Sequence, residues 1–348
     1  MAKKAAADNG AYQKLKDDLK NGTLGQCYLF YGEEDYLRAY YLERLRKKLL
    51  DGPAEEFNYH RFTRETLDWD EVSAAVEAMP MMANRTLVEI DDVDLYKEPE
   101  QAREKLIAIL SDLPDYCCLL FLYDTVEFSP DRRLKKLHAA VERYVQVINF
   151  RKQSATDVRA WVRRQAVAGG KDIDTAASDY LAFLTDNSLS AMQSELKKLT
   201  AYARGAVITK EDIDAVVEPT LTAVSFDISN AIVDGSYDRA LLKLRELLAM
   251  QQEPILLLGA IAAQMRRLLC AKVLGEHGKG NDSLMKLCGI GEYPARLTMG
   301  AARKLSAKFC SDAVLLCLEA DRRMKSSYDD PQRILELLLI RLAQEAQT

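Results

Sequence analysis

The chain has 348 residues, of which 48% are hydrophobic and 29% are charged, a composition typical of a folded protein with two or three domains. The formal net charge of −5 argues against a general attraction to nucleic acid, and no uninterrupted apolar run is long enough to cross a bilayer. The seven cysteines include no CxxC pair, which predicts free buried thiols in a reducing cytoplasm.

The first 150 residues alternate between short apolar runs and amphipathic segments. Five strands are predicted, at 28–32, 57–62, 85–90, 117–123 and 144–150. Four helices are predicted between them, at 35–50, 68–79, 99–112 and 131–142. This alternation predicts a mostly parallel sheet with helices on both faces, in which a ligand would bind at the carboxyl ends of the strands.

The turn after the first predicted strand, at Gly32, has the position of a phosphate-binding loop but lacks its residues. Such a loop needs several glycines, a lysine and a Ser or Thr hydroxyl. Here residues 36–38 are Tyr-Leu-Arg, and Glu33, Glu34 and Asp35 fill the turn. These carboxylates would repel a triphosphate and are suited to cap the helix that follows. The sequence therefore predicts a degenerate loop that binds no nucleotide.

A second motif, VEIDDVD at 88–94, resembles a strand whose terminal acids hold magnesium in ATPases. Asp91 and Asp92 could take that role, or they could cap the next turn. The three histidines lie on separate predicted elements, and no nucleophile is paired with a base. We therefore predict no catalytic residue, no metal site and no cofactor.

Strand patterns stop after residue 150. Residues 151–219 predict a small helical domain whose first and last helices begin at the capping residues Ser154 and Thr209. Residues 220–348 predict a third domain made of helices alone. Its segment ILLLGAIAA is apolar nearly all round, which favours burial among neighbouring helices or in an oligomer.

Three stretches together resemble the delta subunit of the bacterial DNA polymerase III clamp loader. They are LKNGTLGQCYLFYGEEDYLRAYYLERLR at 19–46, AMPMMANRTLVEIDDVD at 78–94 and EADRRMKSSYDDPQRILELLLIRLA at 319–343. The resemblance implies a degenerate AAA+ sheet domain at 1–150, a helical lid at 151–219 and a helical collar at 220–348 that joins other subunits. It also implies that the chain hydrolyses no ATP and binds a sliding clamp, whose interface it holds open.

The resemblance assigns clamp binding to an apolar pair between a helix and the third strand. In this sequence the pair is Met81 and Met82, flanked by Met79 and Pro80. Methionine is unbranched and polarizable, so it can fill a shallow apolar pocket on a partner. The alternative is that the methionines face the core, and Met79 favours that alternative because it keeps helical spacing with the valines before it.

A possible DNA contact lies in the sequence DRRMKSSYDD at 321–330. Arg322, Arg323 and Lys325 precede Tyr328 at a predicted turn between two helices. An exposed aromatic ring beside cations can stack on an unpaired base at a primer–template junction, and the resemblance places this turn near DNA. The alternative is a solvated helix end, because lysine and arginine favour helix C-termini.

The resemblance implies three kinds of partner: the beta sliding clamp, the ATPase and delta-prime subunits of the loader, and primed DNA inside the assembled loader. No membrane is expected. Two rival interpretations remain open, a cryptic ATPase that binds nucleotide through Asp91 and Asp92, and a structural subunit like delta-prime. Delta-prime subunits typically carry zinc-binding cysteines and an arginine finger. In this sequence Arg132 and Arg133 are interpreted as surface charges and not as an arginine finger.

Overall fold

The chain is described from a computed structural model, which covers residues 2–50 and 55–346 and gives side chains from residue 10 onward. It divides into two compact units, Met1–Gln153 and Ser154–Thr348. The first is an α/β unit and the second is almost entirely helical. The finer division of the second unit into a lid and a collar stays a prediction.

The first unit is built on a five-stranded parallel sheet, as the sequence predicts. The strands are β1 (Cys27–Tyr31), β2 (Tyr59–Phe62), β3 (Thr86–Asp91), β4 (Cys117–Leu122) and β5 (Gln146–Asn149). They lie in the order β2-β3-β4-β1-β5, and every neighbouring pair is parallel. All six residues of β3 are buried, as expected for a central strand covered on both faces.

Helices cover both faces of this sheet. They are α1 (Ala2–Asn21), α2 (Asp35–Leu49), α3 (Glu55–Asn58), α4 (Trp69–Glu77), α5 (Glu100–Ser111) and α6 (Lys135–Tyr144). On one face, α4, α5 and α6 share a buried core with alternate residues of β1 and β4. On the other, Tyr12 of α1 and Tyr41 of α2 contact the ring of Phe150, with ring centroids 5.7 and 6.0 Å apart. The four predicted helices are confirmed, and α1 has no counterpart among the predicted elements. The helix α3 contains Phe57 and Asn58, which were predicted to begin the second strand.

The second unit begins with four helices and one very small sheet. These elements are α7 (Ala155–Ala168), β6 (Asp172–Ile173), α8 (Thr175–Leu184), α9 (Leu189–Tyr202), β7 (Val207–Ile208) and α10 (Lys210–Val216). Ser154 caps α7 and Thr209 forms a capping box with Asp212 on α10, so both predicted caps are confirmed. The sequence predicted no strand after residue 150, and this expectation is wrong because β6 and β7 form a small sheet. Each has only two residues, which is too short to show a periodic pattern.

The rest of the second unit is a helical bundle. Its helices are α11 (Leu221–Val233), α12 (Tyr237–Ala249), α13 (Pro254–Glu276), α14 (Asn281–Cys288), α15 (Glu292–Arg303), α16 (Ala307–Ser326) and α17 (Pro331–Ala346). By length and composition α13 could cross a membrane, but Leu257, Ile261, Met265 and Leu268 on it are buried in the core of the bundle. The segment ILLLGAIAA near the start of α13 is not buried along its whole length, because Ile255 and Leu256 are exposed.

Candidate partner-binding surface and the degenerate nucleotide turn

The turn after β1 is closed by the chain itself. Gly32 has a φ of +125°, and a Cβ there would meet the backbone oxygen of Phe150 at 2.4 Å, so no other residue fits. The Glu34 N–H donates to that same oxygen at 2.8 Å, and the Phe150 N–H donates to the Tyr31 carbonyl at 2.7 Å. The end of β5 therefore packs directly against the turn.

Arg38 fills the space in front of this turn. Its side chain is almost completely buried, and the guanidinium donates to the carbonyl oxygen of Gly32, to Asp35 at 2.9 Å and to Asp124. Residue 38 is where a phosphate-binding loop would carry its hydroxyl. In this chain the Arg38 guanidinium occupies that position, and three oxygen atoms of the chain accept hydrogen bonds from it.

Glu34 lies buried at the N-terminus of α2, but it does not cap that helix. Its side chain makes no capping hydrogen bond, so the expectation that the acids of the turn cap α2 is wrong for Glu34. Burial, together with the nearby charge of Asp35, raises the pKa of Glu34 to about 7. Glu33 and Asp35 are exposed, and the Asp35 carboxylate pairs with Arg38.

Asp91 ends β3 and Asp92 follows it, beside a cleft of about 530 Å³ at the carboxyl edge of the sheet. Asp92 accepts backbone N–H groups of Asp124, Thr125 and Val126 at 2.7, 2.8 and 3.2 Å. Although burial opposes it, these bonds lower the pKa of Asp92. Asp92 thus organises the turn after the neighbouring strand β4, whereas the capping interpretation assigned it to the next turn along the chain.

Asp91 is engaged differently. It forms an ion pair of 2.6 Å with Arg61 of β2, and burial raises its pKa to about 6. Within the described ranges 2–50 and 55–346, no cluster of three His, Cys, Asp or Glu side chains is arranged to hold a metal ion.

The predicted apolar pair lies in the loop between α4 and β3, at the opposite, amino edge of the sheet. Met79, Met81 and Met82 expose 83%, 52% and 79% of their surfaces. The interpretation that they face the core is therefore wrong, including for Met79, because α4 ends at Glu77 and the helical spacing no longer applies. Pro80 between them is half-buried. We call residues 78–85 the methionine loop.

One buried side chain fixes the methionine loop in place. Asn58 is 1% exposed, and its carboxamide accepts the Met81 N–H at 2.7 Å and donates to the Met81 carbonyl at 2.8 Å. The loop also places Met82 at a φ of 52°, a left-handed conformation that is rare outside glycine. Sequence reasoning missed Asn58 because it placed this residue inside the strand predicted at 57–62, whereas Asn58 is the last residue of α3.

The second predicted site lies in the other unit, between α16 and α17. Tyr328 is fully exposed there. Arg323 pairs with Asp329 at 2.8 Å and Lys325 with Asp321 at 2.9 Å, so two of the three predicted cations are already neutralised. Arg322 is exposed, and no ion pair to it is seen among the described residues.

Comparison with known protein families gives two matches. Residues 28–148 match the family described as DNA polymerase III, delta subunit. Residues 223–342 match the family described as DNA polymerase III delta subunit, C-terminal domain. The two matches cover the sheet of the first unit and the helical bundle of the second.

Individual relatives can be aligned with most of this chain. DNA polymerase III subunit delta of Bacillus subtilis is 27% identical over 329 residues, covering 93% of this chain and 94% of the relative. The subunit of the same name in Escherichia coli is 23% identical over 268 residues, covering 76% of each chain. The solved structure of the Bacillus subtilis DNA clamp loader delta protein is 25% identical, with a TM-score of 0.62, over 95% of this chain and 99% of that one.

Proposed function

Because the chain belongs to the DNA polymerase III delta subunit family, we propose that it binds the sliding clamp and helps to open it, so that ATPase partner subunits can load the clamp on primed DNA. The proposal places the chain in a cytoplasmic hetero-oligomer with those ATPase subunits and a delta-prime subunit. The chain itself supplies a binding surface and a rigid frame, and its partners supply the energy of nucleotide hydrolysis.

The observation that carries the proposal is the methionine loop. Three methionines are exposed within four residues, which is costly for a surface without a partner. The loop is nevertheless held in one conformation by Asn58, so little conformational entropy is lost on binding. An ordered, exposed, unbranched apolar pair is suited to enter an apolar pocket on a second protein.

The test replaces both methionines of the pair. In the full chain, Met81→Ala combined with Met82→Ala should weaken binding to a purified sliding clamp by roughly a hundredfold or more, because the pair would supply most of the interface energy. Thermal unfolding should be unchanged, since both side chains are exposed. The matched control is Leu315→Ala with Leu318→Ala, an equally exposed apolar pair on α16. A folded methionine variant that binds the clamp as wild type does would refute the proposal.

We also propose that the chain has no ATPase activity of its own. The support is local: Arg38 occupies the turn with its own hydrogen-bond partners, and a buried Glu34 stands beside it. A triphosphate would have to displace these pairs and approach the carboxylates Glu33 and Asp35. Measurable equilibrium binding of ATP to the full chain would instead favour the cryptic ATPase.

A further inference from the structure

Exposed apolar surface in the first unit is concentrated at one corner. Among the described residues of this unit, five large apolar side chains are exposed, and three of them belong to the methionine loop. The fourth is Phe57, which exposes 65% of its surface, and the fifth is Tyr40 on α2. An exposed phenylalanine has no polar group that could favour contact with water, so its position calls for an explanation.

Phe57 is held beside the methionine loop by its neighbour in sequence. Asn58 bonds both backbone groups of Met81, and adjacent Cα atoms are about 3.8 Å apart, so the backbone of Phe57 lies within roughly 10 Å of Met81. The strand register agrees with this placement. Tyr59 is opposite Leu87 in the parallel pair β2 and β3, so the segments before both strands meet at the same edge of the sheet.

We propose that Phe57 and the three exposed methionines form one continuous surface, and that Phe57 makes a separate contact with the same partner. This inference rests on the proposed function and names a further residue of that interface. The contact expected on the sliding clamp is an apolar recess that accepts an aromatic ring next to the pocket for Met81 and Met82. Aromatic side chains provide large buried areas at low entropic cost, so Phe57 adds affinity as well as specificity.

The charges around the surface favour a different protein over a second copy of this chain. Glu55, Glu56 and Glu77 are exposed on α3 and at the end of α4, beside Phe57 and the methionine loop. A symmetric contact between two copies would bring the same patch of each together, and with it these like charges. A partner whose apolar recess has a neutral or basic rim avoids that repulsion.

The experiment measures the affinity of the full chain for a purified sliding clamp. Phe57→Ala should raise the dissociation constant roughly tenfold, a typical effect for an interface aromatic. Phe57→Met, which keeps an apolar side chain of similar reach, should raise it much less. Tyr202→Ala removes another exposed ring, on α9 in the second unit, and should leave the affinity unchanged.

The variants separate this inference from the function on which it rests. If Phe57→Ala binds as wild type while the Met81 and Met82 double variant does not, the inference is overturned and the proposed function stands. If wild type itself fails to bind, both fail. If Phe57→Ala instead abolishes self-association of the chain and leaves clamp affinity intact, Phe57 belongs to a contact between copies and the inference is again overturned.

Discussion

Single side chains determine what the turn at Gly32 can do. A phosphate-binding loop directs backbone N–H groups and a lysine towards an external anion. Here the guanidinium of Arg38 points into the turn from the first part of α2 and bonds the Gly32 carbonyl, Asp35 and Asp124. These bonds hold the turn in shape from within the chain, and a buried charge of this kind is stable only with its partners present.

Glu34 should make folding depend on pH, because its pKa is about 7 in the folded chain against an ordinary value of 4.5. Between these values the folded state binds more protons than the unfolded state, so the free energy of unfolding falls as pH rises and levels off above pH 7. Glu34→Gln should remove this dependence. The variant should be more stable than wild type by roughly 2 to 3 kcal/mol at pH 8 and no more stable near pH 4.5.

Urea unfolding of both proteins from pH 4.5 to 8 measures the difference. Taking the difference between variant and wild type removes the contribution of Asp91, whose pKa is also raised, to about 6. Glu33→Gln changes the exposed neighbour and is the matched control. Parallel curves for Glu34→Gln and wild type would show that Glu34 does not control this dependence.

Residue patterns located the exposed methionines better than they located the buried polar side chains. Met81 and Met82 could be located because they belong to a contiguous stretch that resembles a family. Glu89 could not be interpreted from sequence: it reads as part of an apolar strand, yet it is wholly buried and bonds Arg46 of α2 and, at 3.1 Å, Tyr59 of β2. Such pairs depend on which helix covers which strand, and periodicity does not carry that information.

At the scale of elements, the strands of the large sheet and four helices of the first unit were predicted well, whereas α1, α3, β6, β7 and the loop conformations were not. All five strands of the large sheet and the caps at Ser154 and Thr209 follow from local patterns. The conformation of the methionine loop does not, since it depends on a side chain more than twenty residues earlier. Asn58 replaces the hydrogen bonds that a neighbouring strand would otherwise supply to Met81.

Asn58→Ala should therefore loosen the methionine loop more than it destabilises the fold. Loss of two hydrogen bonds should cost about 1 to 2 kcal/mol in unfolding free energy. We expect the Met81 amide, now without its acceptor, to exchange with solvent much faster, and clamp affinity to fall roughly tenfold as the loop samples other conformations. Hydrogen exchange and clamp binding, measured well below the melting temperature, check both effects.

A purely structural role for Asn58 predicts a different result. In that case the unfolding free energy would fall, but the affinity of the folded fraction would stay at the wild-type value. Asn58→Asp sharpens the comparison, because a carboxylate can still accept the Met81 N–H but cannot donate to its carbonyl. We expect its clamp affinity to lie between those of wild type and Asn58→Ala.

On the scale of the whole molecule, the two candidate surfaces lie in separate units, and each unit has its own core. The sequence pattern predicted the change near residue 150 from alternating strands and helices to helices alone, and the further boundary at residue 219 stays a prediction. Within the second unit, Arg159 of α7 bonds Asp179 of α8 and, at 3.2 Å, Glu292 of α15. These ion pairs connect the predicted lid to the predicted collar, and no local sequence pattern predicts them.

The turn between α16 and α17 exposes the ring of Tyr328 to solvent, and two of the three nearby cations are paired with acids. Arg323 and Lys325 are paired with acids, and the hydroxyls of Ser326 and Ser327 bond the last carbonyls of α16. The ion pairs account for Arg323 and Lys325 as part of the C-terminal end of α16. They do not account for Tyr328, which is completely exposed. We propose that Tyr328 stacks on an unpaired base, because an exposed aromatic ring provides a face on which a base can stack.

Tyr328→Ala, introduced into the full chain and assembled with its partner subunits, should weaken binding to a primed template roughly tenfold, since stacking one base contributes about 1 to 3 kcal/mol. Tyr328→Phe keeps the ring and should bind as wild type does. Blunt duplex DNA offers no unpaired base, so its affinity should not change. Tyr202→Ala removes an exposed tyrosine elsewhere in the same unit and serves as the control. Equal affinity of wild type and Tyr328→Ala for the primed template would rule out stacking and leave Tyr328 without a role in DNA binding.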